Sequence, residues 1–180
     1  MLKGFKYLAD ENSNILILGT FPSEESRRLN EYYANKRNQF WRLLFEIYNC
    51  EYDKNINYDK KVEFLYNHQI ALWDMIDSCI TEGSLDSKIL DPKLSNIEAL
   101  LKKYKNIQKI FCNGKFSYKL LKSQNIEDHD VYILPSSSPT NTVKYEEKFK
   151  SWKNIIIGDV NNGKYWNWKK KVRKIYIYSR

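Results

Sequence analysis

Tyr32-Tyr33-Ala34-Asn35-Lys36-Arg37-Asn38-Gln39-Phe40-Trp41 interleaves flat rings, amides and cations. That mixture suits nucleic acid. Rings stack on exposed bases for ~1–3 kcal/mol each, amides match the donor and acceptor pattern of base edges, and cations neutralise phosphate. Phe40 and Trp41 also open an apolar face at helical spacing, so they are expected in the core. Tyr33, Asn35 and Asn38 precede that helix and follow a strand-end loop, which leaves them available for chemistry. Asp74 and Asp86 offer a second possibility, a carboxylate pair for acid–base work, although Asp74 can equally hold a loop.

Other chemistries lack support. Neither GxxxxGK[ST] nor GxGxxG occurs, and only six glycines are present, so no phosphate-cradling loop is expected. Ser136, Ser137 and Ser138 with His68 or His129 suggest a hydrolase triad, but no GxSxG elbow accompanies them. Both histidines are expected in polar surface loops. Cys50, Cys79 and Cys112 are odd in number and contain no CxxC pair. They form neither a disulfide framework nor a four-cysteine metal or cluster site, and reduced thiols of a cytoplasmic protein are expected.

The elements that must position these residues follow from hydrophobic pattern. Asn14-Ile15-Leu16-Ile17-Leu18 is a continuous apolar run ending at Gly19, as in a strand buried on both faces. Ile70 to Met75, Lys109 to Cys112 and Val131 to Leu134 read as three further strands. Helices are predicted after Asn38, which can cap the first, then from a Ser95 cap through Leu101, through Tyr118 to Leu121, and along Tyr145, Phe149, Trp152 and Ile156. Strands alternating with helices predict an α/β fold with a mainly parallel four-stranded sheet covered on both faces. Ligands of such sheets bind outside the carboxyl ends of the strands, which nominates the segments after Gly19, Asp74, Cys112 and Leu134.

Composition sets the partner class. Of 180 residues, 42% are apolar, enough for one sizeable core, and the formal net charge is +8. No run of ~18 apolar residues is present to span a membrane, and the first residues lack the apolar stretch of a secretory signal. Residues 150–180 hold nine Lys and Arg against the single acid Asp159, so they carry the whole excess. A concentrated basic segment that includes Lys169, Lys170 and Lys171 among tryptophans and tyrosines points to a polyanion. A merely solvated tail is the alternative. Ile175-Tyr176-Ile177-Tyr178 alternates like an edge strand.

Six motifs in order resemble one family. Gly19-Thr20-Phe21-Pro22-Ser23, the Tyr32–Trp41 segment, Ala71-Leu72-Trp73-Asp74, Gly83-Ser84-Leu85-Asp86-Ser87, Asn113-Gly114-Lys115 and Leu134-Pro135-Ser136-Ser137-Ser138-Pro139 are together similar to the uracil-DNA glycosylase superfamily, nearest its hypoxanthine-DNA (deoxyinosine) glycosylase branch. The resemblance implies a three-layer α/β/α sandwich over residues 1–157, with residues 158–180 a basic aromatic extension of the same domain. It implies a monomeric DNA repair enzyme that flips a deaminated base, hypoxanthine and also uracil or xanthine, out of DNA and hydrolyses its N-glycosidic bond. No cofactor, metal, membrane or obligate protein partner is implied.

Residue roles follow from the same resemblance. Phe21 stands where many relatives carry a polar, water-positioning residue, and the catalytic amide of the hypoxanthine branch maps onto Asn38. Asn35 stands three residues away and can share or take that role. Tyr33 takes the place of the ring that stacks on the flipped base. Gly19, Thr20, Phe21, Asn113 and Ser136 fall to base binding, and Ser23, Lys115, Ser137, Ser138, Pro139, Thr140 and Asn141 to the DNA. The base is expected to leave as an anion held by hydrogen bonds. No lysine in the motifs is placed for a Schiff base, so a monofunctional glycosylase is expected. A non-catalytic nucleic-acid-binding relative with the same fold is the alternative, and Phe21 is its support.

Overall fold

A computed structural model describes residues 1–83, 86–124, 126 and 128–158. Four parallel strands form the central sheet: β2 (Ile15–Gly19), β3 (Ile70–Asp74), β6 (Lys109–Asn113) and β7 (Asp130–Leu134), in the spatial order β3-β2-β6-β7. Every residue of β2 is buried. Because side chains alternate across a strand, Ile15 and Ile17 enter one core, whereas Leu16 and Leu18 enter the other.

The first core is covered by α2 (Phe40–Ile47), α3 (Tyr58–Asn67) and α6 (Tyr145–Ile156), through Phe40, Leu44, Phe64, Leu65, Trp152 and Ile156. The second is covered by α4 (Ile97–Lys103) and α5 (Lys115–Leu121), through Ile97, Leu100 and Leu121. The predicted three-layer α/β/α sandwich and its four strands are therefore present. After β2 the chain first fills the β3 side, then crosses to β6 on the other side. The strand order thus reverses at β2, and its carboxyl end faces the crevice where ligands of open α/β sheets bind.

Several elements were not predicted. A second, antiparallel sheet joins β1 (Leu2–Lys3), β4 (Ile76–Ile80) and β5 (Leu90–Leu94) in the order β1-β4-β5. Strand β5 reads Leu-Asp-Pro-Lys-Leu and exposes all but its last residue, so it has no apolar alternation to detect, and its Pro92 suits a sheet edge. Helix α1 (Glu24–Leu29) is short and amphiphilic, with Ser26 its buried residue. The cap of α4 is Asn96, whose side chain accepts from the Ala99 N–H at 2.9 Å, and not the predicted Ser95, which is buried. His68 is not in a surface loop. It closes α3, bonded through Nδ1 to the Phe64 carbonyl at 2.9 Å, with its ring 4.4 Å from that of Tyr48. Of the basic extension expected over residues 158–180, all but Gly158 lie outside the described residues.

Candidate active site

Gly19 ends β2, and its register partner Asp74 ends the neighbouring β3. The two touch so closely that a Cβ on Gly19 would collide with Asp74 Oδ1 and lie 2.7 Å from the Tyr33 hydroxyl. Glycine is therefore required here by close approach rather than by backbone conformation. Asp74 is 3% exposed, and its Oδ2 has no hydrogen-bond partner among the described residues. Burial pushes its carboxyl up to about 7, with the charge of Asp86 adding to the shift. Burial also raises Asp86, against a hydrogen bond from the Thr20 side chain. The two acids flagged by the sequence thus share one electrostatic environment, and Asp74 is the one held neutral in the acidic range.

Tyr33 sits at φ 53°, in the left-handed region that non-glycine residues seldom occupy. Its ring stacks on Phe40, and its hydroxyl accepts a hydrogen bond from Asn113 Nδ2 at 3.1 Å. Burial, and then the charge of Asp74, raises the Tyr33 hydroxyl far above its ordinary range, so it stays protonated. Asn113, at the end of β6, spends its whole amide on fixed partners. Nδ2 also donates to Ser137 Oγ at 2.9 Å, and Oδ1 accepts from the Ser137 N–H at 2.9 Å. Asn113 therefore links β6, Tyr33 and the 136–141 loop. Ser137, assigned to DNA by resemblance, is fully buried and holds that loop from within.

The two catalytic candidates form successive local turns. Asn35 Oδ1 accepts from the Arg37 N–H at 2.9 Å, and Asn38 Oδ1 accepts from the Phe40 N–H at 2.9 Å, just before α2. The residue that caps α2 is Gln39, without a side-chain hydrogen bond to the helix, and not the predicted Asn38, whose amide is used in its own turn one residue earlier. The short apolar-poor stretch before Phe40 folds this way because each amide bonds its own backbone two residues on. Between this segment and the 136–141 loop, the Gln39 N–H donates to the Ser137 carbonyl at 3.1 Å. The structure thus brings Asn38, Tyr33, Asn113 and Gly19 into one connected region, joined by Asp74, to which the sequence had assigned no settled role. Its signal was a lone acid closing an otherwise apolar strand.

The remaining candidates surround this region. Ser23 caps α1 by accepting from the Ser26 N–H. Phe21 lies beneath the Arg27 guanidinium, 5.5 Å from ring centre to charge. Ser136 Oγ accepts from the Ser138 N–H, and Ser138 Oγ lies 2.8 Å from Thr140 Oγ1. Asn141 Nδ2 donates to the Ser136 carbonyl at 2.9 Å. Pro139, Thr140 and Lys115 are exposed. Lys169, Lys170 and Lys171 lie outside the described residues. Among the described residues no group of three or more His, Cys, Asp or Glu side chains is placed to hold a metal ion, and no helix is long and apolar enough to cross a membrane.

An open parallel sheet, covered by helices on both faces and carrying a buried acid, a stacked tyrosine and turn-forming amides around its switch point, defines an α/β/α protein with its polar residues gathered at the carboxyl ends of the strands. Residues 5–159 match the model of the uracil DNA glycosylase superfamily, and the chain belongs to that superfamily. It is 33% identical over 154 residues to a hypoxanthine DNA glycosylase of Methanosarcina acetivorans, covering 86% of this chain and 97% of that protein. It is 34% identical over 150 residues to a hypoxanthine DNA glycosylase of Methanosarcina barkeri, covering 83% and 94%. The solution NMR structure of a candidate uracil DNA glycosylase from Methanosarcina acetivorans superposes with a TM-score of 0.75 at 33% identity, covering 85% of this chain and 94% of that one.

Proposed function

We propose that this protein releases hypoxanthine from DNA by hydrolysing the N-glycosidic bond, leaving an abasic site, and that uracil and xanthine are further substrates. The observation that carries the reading is the convergence of Gly19, Asp74 and Tyr33 at the carboxyl edge of the sheet, in a chain related over 86% and 83% of its length to two hypoxanthine DNA glycosylases. A neutral carboxyl presents one donor and one acceptor side by side. The lactam edge of hypoxanthine, an N–H beside a carbonyl, presents the complementary pair, as does uracil. Asp74, with an unpartnered oxygen, fits that edge. Gly19 lets the Asp74 carboxyl and the Tyr33 hydroxyl come close to the strand end, and Tyr33, backed by Phe40, supplies the ring for stacking.

Asn38 supplies the chemical step. Its Oδ1 is committed to the Phe40 N–H, so Nδ2 is the end that reaches substrate. A donor stabilises negative charge developing on the departing base, which makes Asn38 a leaving-group stabiliser rather than a water holder. Hypoxanthine leaves as a hydrogen-bonded anion, water adds to the anomeric carbon, the proton that water loses passes to the departed base, and no Schiff base forms. The test uses duplex oligonucleotides with one hypoxanthine, uracil or xanthine, and alkali to reveal abasic sites. The expected result is strand scission only after alkali. Tight DNA binding with no base released from any of the three would select the non-catalytic reading.

A further inference from the structure

Helix α6 carries a lysine, Lys148, that is only 1% exposed. Its ammonium donates to Gln39 Oε1 at 2.9 Å and to the Asn141 carbonyl at 3.0 Å. Both acceptors are neutral, and no ion pair to Lys148 occurs among the described residues. Burying a cation without a carboxylate partner is costly, and it lowers the proton affinity of this lysine. An apolar side chain would fill the same space without that cost.

What the lysine joins gives it a reason to be there. Gln39 follows Asn38 directly, and Asn141 closes the loop that begins at Pro135. One turn further along the same helix face, Trp152 Nε1 donates to the Pro135 carbonyl at 2.8 Å. Helix α6 therefore holds the 135–141 loop at both ends, and through Lys148 it also bonds Gln39, in the segment that carries Asn38. Charge-assisted hydrogen bonds are shorter and stronger than neutral ones, so the ammonium makes a stiffer clamp than a neutral side chain.

We propose that Lys148 is a positioning residue for base excision, its buried ammonium locking the Asn35–Gln39 segment and the Ser136–Asn141 loop into a single arrangement. This rests on the glycosylase reading above. Base excision needs Asn38 and the loop that meets the DNA placed together, and a misplacement of ~1 Å costs ~100-fold in rate. The anionic DNA backbone is also the partner whose arrival offsets a buried, unpaired cation.

The experiment compares the full-length chain with its Lys148→Met variant. Met keeps the volume and removes the charge and donors. Its melting temperature should equal or exceed that of the wild type. Amide exchange should accelerate at residues 35–39 and 136–141 and nowhere else. On a duplex with one hypoxanthine, the single-turnover rate at saturating DNA should fall ~10- to 100-fold, with little change in the DNA dissociation constant. Exchange unchanged in the two segments, or loosened segments with an unchanged rate, overturns the proposal. A melting temperature lowered together with protection lost throughout the sheet shows a merely structural lysine and also overturns it. If Lys148→Met does not fold, Gln39→Leu removes one acceptor, leaves the cation in place and should loosen residues 35–39. A wild-type chain that releases no base would remove the glycosylase reading, while the exchange data would still decide whether Lys148 clamps the two segments.

Discussion

Tyr33 lies face to face on Phe40, with ring centroids 3.8 Å apart and planes 14° from parallel. Phe40 is fully buried at the start of α2, so the tyrosine ring is fixed from behind, and its other face is the one proposed to meet a base. Replacing Tyr33 with Phe keeps that face. It removes one acceptor of Asn113, whose other bonds to Ser137 remain, at a stability cost of about 1 kcal/mol. Tyr33→Phe should therefore excise at close to the normal rate. Tyr33→Ala removes the platform and should slow single-turnover release by roughly 10- to 100-fold, as losing ~1–3 kcal/mol of stacking requires. Equal damage from both variants would place the chemistry on the hydroxyl.

Asn38 and Asn35 are separable by the same assay. Asn38→Ala deletes the donor proposed to face the leaving base and should reduce the chemical rate by ~100-fold or more, with DNA binding retained. It also deletes the acceptor for the Phe40 N–H, so a stability loss of about 1 kcal/mol is expected in thermal melts. Asn35 braces the turn through Arg37, and Asn35→Ala should act mildly through that turn. A dead Asn35→Ala beside a near-normal Asn38→Ala would move the catalytic amide by three residues.

The sequence made the central sheet legible because three of its four strands, β2, β3 and β6, are mostly buried on both faces. Ile15 to Leu18, Ile70 to Leu72 and Ile110 to Cys112 are unbroken apolar runs, and such runs have few other uses in a chain of this length. The small sheet was not legible, because β4 and β5 cover only one side and expose Asp77, Asp91 and Lys93. The site was legible as motifs but not as contacts. Nothing in the spelling of Asn113 tells that both ends of its amide are spent on Tyr33 and Ser137, or that Ser137 points inward. Burial of Asp74 was equally hidden, because its environment is set by Gly19 and Tyr33, which lie 55 and 41 positions away in sequence.

Asp74 predicts a pH dependence with a definite sign. Its folded-state pKa is raised from 3.8 to about 7, so between those values the folded chain binds a proton that the unfolded chain has released. Stability from this group is fully present below pH ~4, falls as pH rises toward 7, and is then constant. The upper bound of the loss is about 4 kcal/mol. Excision should decline above pH 7 as well, because the ionised carboxylate no longer donates to the base carbonyl. Asp74→Asn keeps a donor and an acceptor but does not titrate. It should flatten both the melting-temperature and the rate profiles over this range. A wild-type profile already flat from pH 5 to 8 would show that Asp74 is ionised throughout and does not meet the base as an acid.

The basic C-terminal segment can be tested through charge alone. Residues 150–180 carry the entire formal excess of +8, and Lys169, Lys170 and Lys171 are its densest run. Phosphate contacts release condensed counterions, so each one lost should reduce the slope of log K against log salt by roughly 0.7–0.9, the lower value applying to single strands. Changing the three lysines to Gln avoids truncating Ile175 to Tyr178, whose alternation suits a strand. Such contacts position the protein without reading sequence. The triple variant should therefore lose affinity equally for lesion-bearing and intact duplexes, while the chemical rate at saturating DNA stays near that of the wild type. An unchanged salt slope would mean that these cations face solvent, and the excess charge would then contribute to solubility rather than to DNA binding.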